Sequence, residues 1–198
     1  SFLEKTKDNR LHPLWHTLAS TGMRRGEALG LRWSDVDLDG PHPSLMVRQA
    51  LVAAGYQVAF SEPKTKRGRR TIWLDSETVD SLSAWREAQE RERDDAGDLW
   101  TETGLVFTRE DGTAWHPDRI SKLFEEAVTA SGLPRIRLHD LRHTHATIAL
   151  GASIHPKVVS DRLGHSTVSF TLDVYSHCIP ALAQDAADKI AALVANAD

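Results

Sequence analysis

What most restricts the fold of this chain is where its apolar residues change period. Leu11, Leu14, Trp15 and Leu18 recur at helical spacing, and Gly22 then offers a helix stop. Over residues 45–52, 57–60 and 71–74 the pattern becomes short strand-like runs, the first two joined across Ala53, Ala54 and Gly55. Helical spacing returns after Ser76, a fair N-cap, with Val79, Leu82, Trp85 and Ala88 as the buried stripe. A short strand at 105–107, turned by Glu110, Asp111 and Gly112, is the one later interruption expected. Further helices are expected over 25–31, 117–130, 138–150, 156–163, 166–175 and 180–195, with Gly132, Gly151 and Gly164 as C-terminal caps. Helices, a small three-stranded antiparallel sheet, then more helices make an α+β, mostly helical domain and not an alternating βαβ fold. Neither an internal repeat nor a Gly/Ser/Pro-rich linker divides residues 1–198, so they read as one domain.

Composition narrows the class without naming a function. The 198 residues, 40% apolar and 26% charged, suit an ordinary globular domain with a real core. No run approaches the roughly 18 apolar residues of a membrane span, and the first ten residues are too charged for a signal peptide. Cys178 is the single cysteine, which excludes an internal disulfide and a cysteine-based zinc site and suits a reducing, cytoplasmic setting. The chain opens on Ser1, so it is expected to be a fragment.

Charge is the odd property. The net value of −4 argues against nucleic acid, whose binders usually carry a basic excess. Its distribution argues otherwise: residues 1–74 hold 12 basic and 7 acidic side chains, and residues 127–175 hold 5 and 3. Residues 75–126 hold 6 and 15, so the acid is concentrated between two basic segments. That acidic stretch is expected to form the face turned away from a nucleic-acid partner.

Four places gather residues that chemistry uses. Arg24 stands at a break between helices with Glu27 three residues on; as an exposed ion pair this is worth at most about 1 kcal/mol and need mean nothing more. Lys64, Lys66, Arg67, Arg69 and Arg70 form a basic turn, from which a lysine can reach a phosphate and lend a proton; the plain alternative is a solvated loop. His139, Arg142 and His143 share a helix face. Histidines at i and i+4 can bind a metal, but the zinc-protease helices that do so carry Glu beside the first His, where this chain has Asp140. The His/Arg face suits a phosphate better, since arginine supplies a two-point fork. Last, Gly164 ends a helix and puts His165 near the start of the next, with Tyr175 ten positions on. A tyrosine attacking phosphorus needs no metal if enough positive donors hold the phosphate.

Taken singly these signals are weak, but their order, Arg–Lys–His-x-x-Arg–His–Tyr, is specific, and it resembles the tyrosine recombinases, the phage-integrase family. The likeness runs from Thr21-Gly22-Met23-Arg24-Arg25-Gly26-Glu27-Ala28-Leu29 through Leu138-His139-Asp140-Leu141-Arg142-His143-Thr144 to Leu163-Gly164-His165-Ser166 and Tyr175. The resemblance implies the catalytic fold of that family and site-specific DNA recombination, with integration or excision of a phage or mobile element. It implies that Arg24 and Arg142 clamp the scissile phosphate, that Tyr175 attacks it to leave a 3′-phosphotyrosine, and that His139 assists proton transfer. His165 would hydrogen-bond the phosphate and Glu27 would orient its neighbours. Lys64, in Pro63-Lys64-Thr65, matches the lysine that protonates the leaving 5′-oxygen, with Lys66 a rival if the turn is registered differently. Lys66, Arg67, Arg69 and Arg70 are expected DNA contacts; His143, His145 and His177 match no essential position.

The same resemblance implies no cofactor, no metal and no ATP, double-stranded DNA as partner, no membrane, and a homo-tetramer on DNA for the full-length protein. An N-terminal DNA-clamping domain is expected to be absent from this chain, which should therefore bind DNA weakly. The segment at about 180–195, with Leu182, Ala186, Ile190 and Leu193 on one face, either packs on a neighbouring protomer or folds back on its own domain. The rival readings are a type IB topoisomerase, a DNA-binding module without catalysis, and a histidine-bound metallohydrolase.

Overall fold

Helix α2 (His12–Thr21) is the element on which the others assemble. Pro13 in its first turn and Asn9, whose side chain accepts from the Leu11 N–H at 2.8 Å, start it after the short α1 (Phe2–Lys5). Its buried residues are Leu14, Trp15, Thr17, Leu18 and Thr21. Gly22 stops it in the left-handed region, φ 67°, with its N–H returned to the Leu18 carbonyl. A Cβ at Gly22 would lie 2.6 Å from Leu163 and 2.8 Å from His145, so glycine both turns the chain and lets two later helices approach. The computed structural model describes residues 1–62, 68–165 and 167–174, together with 187, 191, 194 and 195.

After α3 (Arg25–Leu29) and a 3-10 turn (Trp33–Asp35), the described residues form five short strands. β1 (Val36–Asp37), β2 (Ser44–Val47) and β5 (Arg70–Trp73) make the three-stranded antiparallel sheet, in the order β1-β2-β5. The Leu45–Ile72 pair faces inward, whereas Met46 and Trp73 face out. β3 (Ala50–Ala54) and β4 (Gln57–Ser61) form a separate hairpin.

The expected single strand over 45–52 is therefore two, and the third strand of the sheet comes from Val36 and Asp37. The chain breaks at Arg48 and Gln49, because the Gln49 amide donates to the Gly30 carbonyl at 2.8 Å and Arg48 pairs with Asp35 at 2.9 Å. The expected strand at 105–107 is also not one. Leu105, Val106 and Phe107 are buried, but the Val106 carbonyl accepts from Trp85 Nε1 at 2.6 Å and from the Gln89 amide at 3.1 Å. The Val106 N–H donates to the Leu31 carbonyl at 2.8 Å and Leu105 makes an isolated bridge with Arg32, so backbone pairing on one edge stops at a bridge and side chains of a helix take the other edge.

That helix is α4 (Ser76–Ala96). Its cap is Asp75 and not Ser76: the Asp75 carboxylate accepts from the Thr78 N–H at 3.0 Å and from its hydroxyl at 2.8 Å. Leu82 and Trp85 are buried as expected, flanked by Thr78 and Gln89, while Val79 and Ala88 lie at the margin. α5 (Pro117–Ala130), α6 (Leu138–Gly151), α7 (Pro156–Leu163) and α8 (Val168–Val174) follow close to the expected bounds. Gly164 caps α7, and Gly132, in the left-handed region at φ 65°, ends α5 just after Ser131, but Ala152 takes the cap position expected for Gly151. Most of 180–195 lies outside the described residues; Ala187, Ala191, Val194 and Ala195 are helical and exposed. Among the described residues no helix is long and apolar enough to cross a membrane.

The main core joins α1, α2, α4, α5 and the sheet, with the Phe124 ring 4.9 Å from Phe2 and 5.3 Å from Trp15. A smaller cluster of Ala146, Ala149, Leu150, Val159 and Leu163 fastens α7 to α6. At the acidic end of α4, Glu92 pairs with Arg10 and Arg93 with Glu102, away from the α2–α6–α7 junction. Phe124→Ala is expected to cost about 3–5 kcal/mol in urea unfolding, against less than about 0.5 kcal/mol for Tyr56→Ala on the exposed hairpin turn.

Candidate active site

Two helix C-termini converge where the motifs meet. The last carbonyls of a helix lack partners within it and form the negative end of its dipole. At the end of α2, Ser20 accepts from Arg162 Nη2 at 3.0 Å and Gly22 from Arg142 Nη1 at 2.6 Å. His145 Nδ1 lies 3.0 Å from the Ala19 carbonyl, a contact that requires the proton on Nδ1. At the end of α7, the three successive carbonyls of Arg162, Leu163 and Gly164 accept from Arg70, Arg142 and Arg24, at 2.7, 2.9 and 3.3 Å. Arg142 thus spans both termini and is 4% exposed. The left-handed turn at Gly164, φ 69°, aims these carbonyls at the arginines.

Glu27 balances part of this charge. It is buried in the first turn of α3, and its carboxylate accepts from the backbone N–H of Arg24 at 2.8 Å and from Arg24 Nη1 at 2.9 Å. Arg70 closes on the same carboxylate from the other side, at 3.0 and 2.9 Å. Burial pushes the Glu27 carboxyl up, but the hydrogen bonds and charge of Arg70, with those of Arg24, outweigh it and hold the group below the usual carboxylate range. Among the described residues Glu27 is the carboxylate hydrogen-bonded within the guanidinium groups of Arg24, Arg70, Arg142 and Arg162, with Asp75 acting on Arg162 through its charge alone, so the cluster is cationic. Arg24 keeps 46% of its side chain exposed, which turns part of that charge outward.

Besides His145, the described residues His165, His139 and His143 border the arginines. His165 is buried, with Nδ1 hydrogen-bonded to the buried Thr171 hydroxyl at 2.8 Å. Burial first, then the charges of Arg142, Arg24 and Arg70, push its pKa down to about 4, so the ring is neutral at pH 7. His139 is exposed and sits edge-to-face on His143, ring centres 4.7 Å apart. Partial desolvation, then His143 and Arg142, lower its pKa, which leaves it neutral and able to take up a proton. Among the described residues no three His, Cys, Asp or Glu side chains are placed to hold a metal ion.

Of the residues expected from sequence, Arg24, Glu27, Arg142 and His165 come together here, with His139 on the same helix as Arg142. Arg69 is exposed and pairs with Glu62 at 2.6 Å. Arg70, expected among the DNA contacts, is corrected: its side chain is 7% exposed and engaged with Glu27 and the Arg162 carbonyl, because β5 carries it inward opposite Val47. Lys64, Lys66, Arg67 and Tyr175 lie outside the described residues. Arg162 and Thr171 join the site without a motif of their own in the sequence, and His145 joins it although it matches no essential position. Arg162 is adjacent to the Leu163-Gly164-His165 motif, and that adjacency is the signal for it.

The low pKa of His165 has a measurable consequence. The unfolded chain binds a proton near pH 6.5 that the folded ring refuses, so this group makes stability fall as pH drops from about 6.5 toward 4. The urea midpoint should fall between pH 7 and 5, and the fall should be smaller in His165→Asn. An equal fall in both proteins would contradict the assignment.

The family profile described as the phage integrase family matches residues 2–180. The chain is 33% identical over 187 residues to a XerC-like tyrosine recombinase of Caldanaerobacter subterraneus subsp. tengcongensis, covering 89% of this chain and 48% of that protein. It is 31% identical to the ICEBs1 integrase of Bacillus subtilis, covering 93% of this chain and 50% of that one. The chain therefore spans about half the length of these curated relatives. In fold it is similar to the Tn1549 transposon integrase solved with transposon right-end DNA, with a TM-score of 0.76 and 22% identity over 88% of this chain and 58% of that one. With a profile match across nearly its whole length and a recombinase fold around the arginine cluster, the chain belongs to the phage integrase family of tyrosine recombinases.

Proposed function

We propose that the chain is the catalytic domain of a site-specific DNA recombinase that cleaves and rejoins double-stranded DNA for a phage or mobile element in the bacterial cytoplasm. The observation that carries this is the cationic cluster itself: Arg24 and Arg142 fixed by helix C-termini beside a neutral, buried His165. Such a preorganised set of donors suits the charge that builds on a phosphate under attack. The integrase names among its relatives, and a DNA-bound structural neighbour, support DNA as the partner.

In this reading Tyr175 attacks the scissile phosphorus. Its phenolic proton passes to His139, the bond from phosphorus to the 5′-oxygen breaks, and Lys64 protonates that oxygen, with Lys66 as the rival donor. The product is a 3′-phosphotyrosine and a free 5′-hydroxyl. The ester energy is kept, so a second 5′-hydroxyl can reverse the step on another strand without ATP or metal. Arg24 and Arg142 hold the non-bridging oxygens, His165 hydrogen-bonds one of them, and Glu27 fixes Arg24. Lys66, Arg67 and Arg69 contact the DNA backbone. On a paired site four protomers assemble, and the segment around 180–195 joins neighbours.

The test is a nicked duplex carrying the attachment site, incubated with the chain expressed together with any coding sequence that flanks it. A detergent-resistant protein–DNA adduct should form, persist in chelator, and be lost in Tyr175→Phe. Arg24→Ala and Arg142→Ala should each slow it by about 100-fold or more, as loss of a preorganised donor does. An adduct that survives Tyr175→Phe overturns the nucleophile assignment.

A further inference from the structure

We propose that Arg70 is a positioning residue of the phosphate clamp, acting on Arg24 through Glu27. This inference rests on the function proposed above. Arg70 lies at the start of β5, buried, and does not face outward as a DNA contact would. Its two terminal nitrogens meet the two oxygens of Glu27 separately, Nη1 to Oε1 at 3.0 Å and Nη2 to Oε2 at 2.9 Å. Its Nε donates to the Arg162 carbonyl at 2.7 Å. Each Glu27 oxygen then accepts a second bond from Arg24: Oε1 from Nη1 at 2.9 Å and Oε2 from the backbone N–H at 2.8 Å.

The carboxylate is thus a hinge pin between two arginines, one buried and one half exposed. A long, half-exposed arginine on its own samples many rotamers. Gripped at a fixed carboxylate, and tied to the Gly164 carbonyl, Arg24 is held in one place before a phosphate arrives. Only a planar two-point donor does this for Glu27; an ammonium group cannot match both oxygens at once. The chain also leaves room for the fork: a Cβ at Gly164 would lie 2.8 Å from Arg70 Nη1 and 3.0 Å from its Cζ. Stability alone does not account for the arrangement, because a buried ion pair is often no more stabilising than apolar residues of the same size.

The test uses Arg70→Lys and Arg70→Met in the chain expressed together with any coding sequence that flanks it. Three readouts are needed: thermal unfolding, affinity for uncleaved duplex, and the single-turnover rate of adduct formation. That rate is measured on a normal nicked duplex and on one with a methylphosphonate at the scissile position, which removes one negative oxygen. Arg70→Lys should fold and bind duplex as the parent does, yet cleave about 100-fold more slowly, the scale of loss that a misplaced group produces. The deficit should shrink on the methylphosphonate, as it should for Arg24→Ala, because less phosphate charge then needs Arg24. Parent-like cleavage by Arg70→Lys, or a deficit equal on both duplexes, overturns the inference while leaving the proposed function intact. Loss of folding in both variants also overturns it, by showing a purely structural role. Failure of the unsubstituted protein to form any adduct overturns the proposed function itself.

Discussion

The guanidinium of Arg142 donates one nitrogen to the carbonyl of Gly22 and another to the carbonyl of Leu163, and the rest of the site is arranged around that bridge. Both acceptors are carbonyls at the ends of helices, α2 and α7, that would otherwise lack intrahelical partners. A buried arginine is costly unless its donors are satisfied. Here the satisfaction comes from backbone, which cannot rotate away as a carboxylate side chain can. The helix ends, by carrying partial negative charge, also make the location favourable for a cation.

The same device is used repeatedly, and this couples fold to site. Three consecutive carbonyls at the end of α7 hold arginines from three different elements: β5, α6 and the start of α3. Arg162 returns the favour, reaching from α7 to the carbonyls of Ser20 and Trp73. Displacing the end of α7 would therefore move Arg24, Arg70 and Arg142 together. Among the described residues Glu27 is the carboxylate that these bonds draw in, so the cluster stays cationic, and burial together with that charge keeps His165 neutral. With four guanidinium groups around the Glu27 carboxylate, a site of that kind has positive charge to spare for an anion.

Much of this was legible in the sequence, for identifiable reasons. Long amphipathic stretches such as 117–130 and 156–163 announce their helices, since a 3.6-residue period leaves little alternative. The glycine stops at Gly22 and Gly164 were legible because a left-handed turn leaves few substitutes. The strands were harder: the break at Gln49 depends on a side-chain bond to Gly30, far away in sequence, and Val106 resembles a strand because it is buried and bonded to the Leu31 backbone, while its carbonyl is taken by side chains. At the site, Arg24, His139, Arg142 and His165 stand out by motif spacing. Arg70 does not, because the expected strand begins at Thr71, whereas β5 begins at Arg70 and alternation then sets it on the inward face with Ile72. The run 64–70 reads as a basic turn, and the local signal for the arginine that turns inward is that Arg70 stands two residues before the buried Ile72 and so shares its face of the strand. Net charge misled for a similar reason, since the acid lies mainly on α4 and the segment leading to α5 while the arginines gather elsewhere.

The account stands on the claim that this arginine cluster is the seat of a scissile phosphate. The most direct measurement is a structure of Tyr175→Phe, expressed together with any coding sequence that flanks it, bound to an uncleaved attachment-site duplex. The account predicts non-bridging oxygens of one phosphate within about 3.2 Å of both Arg24 and Arg142, with the Arg70–Glu27 pair intact. A complex in which the DNA backbone passes this cluster by, with no phosphate shared between Arg24 and Arg142, would contradict it.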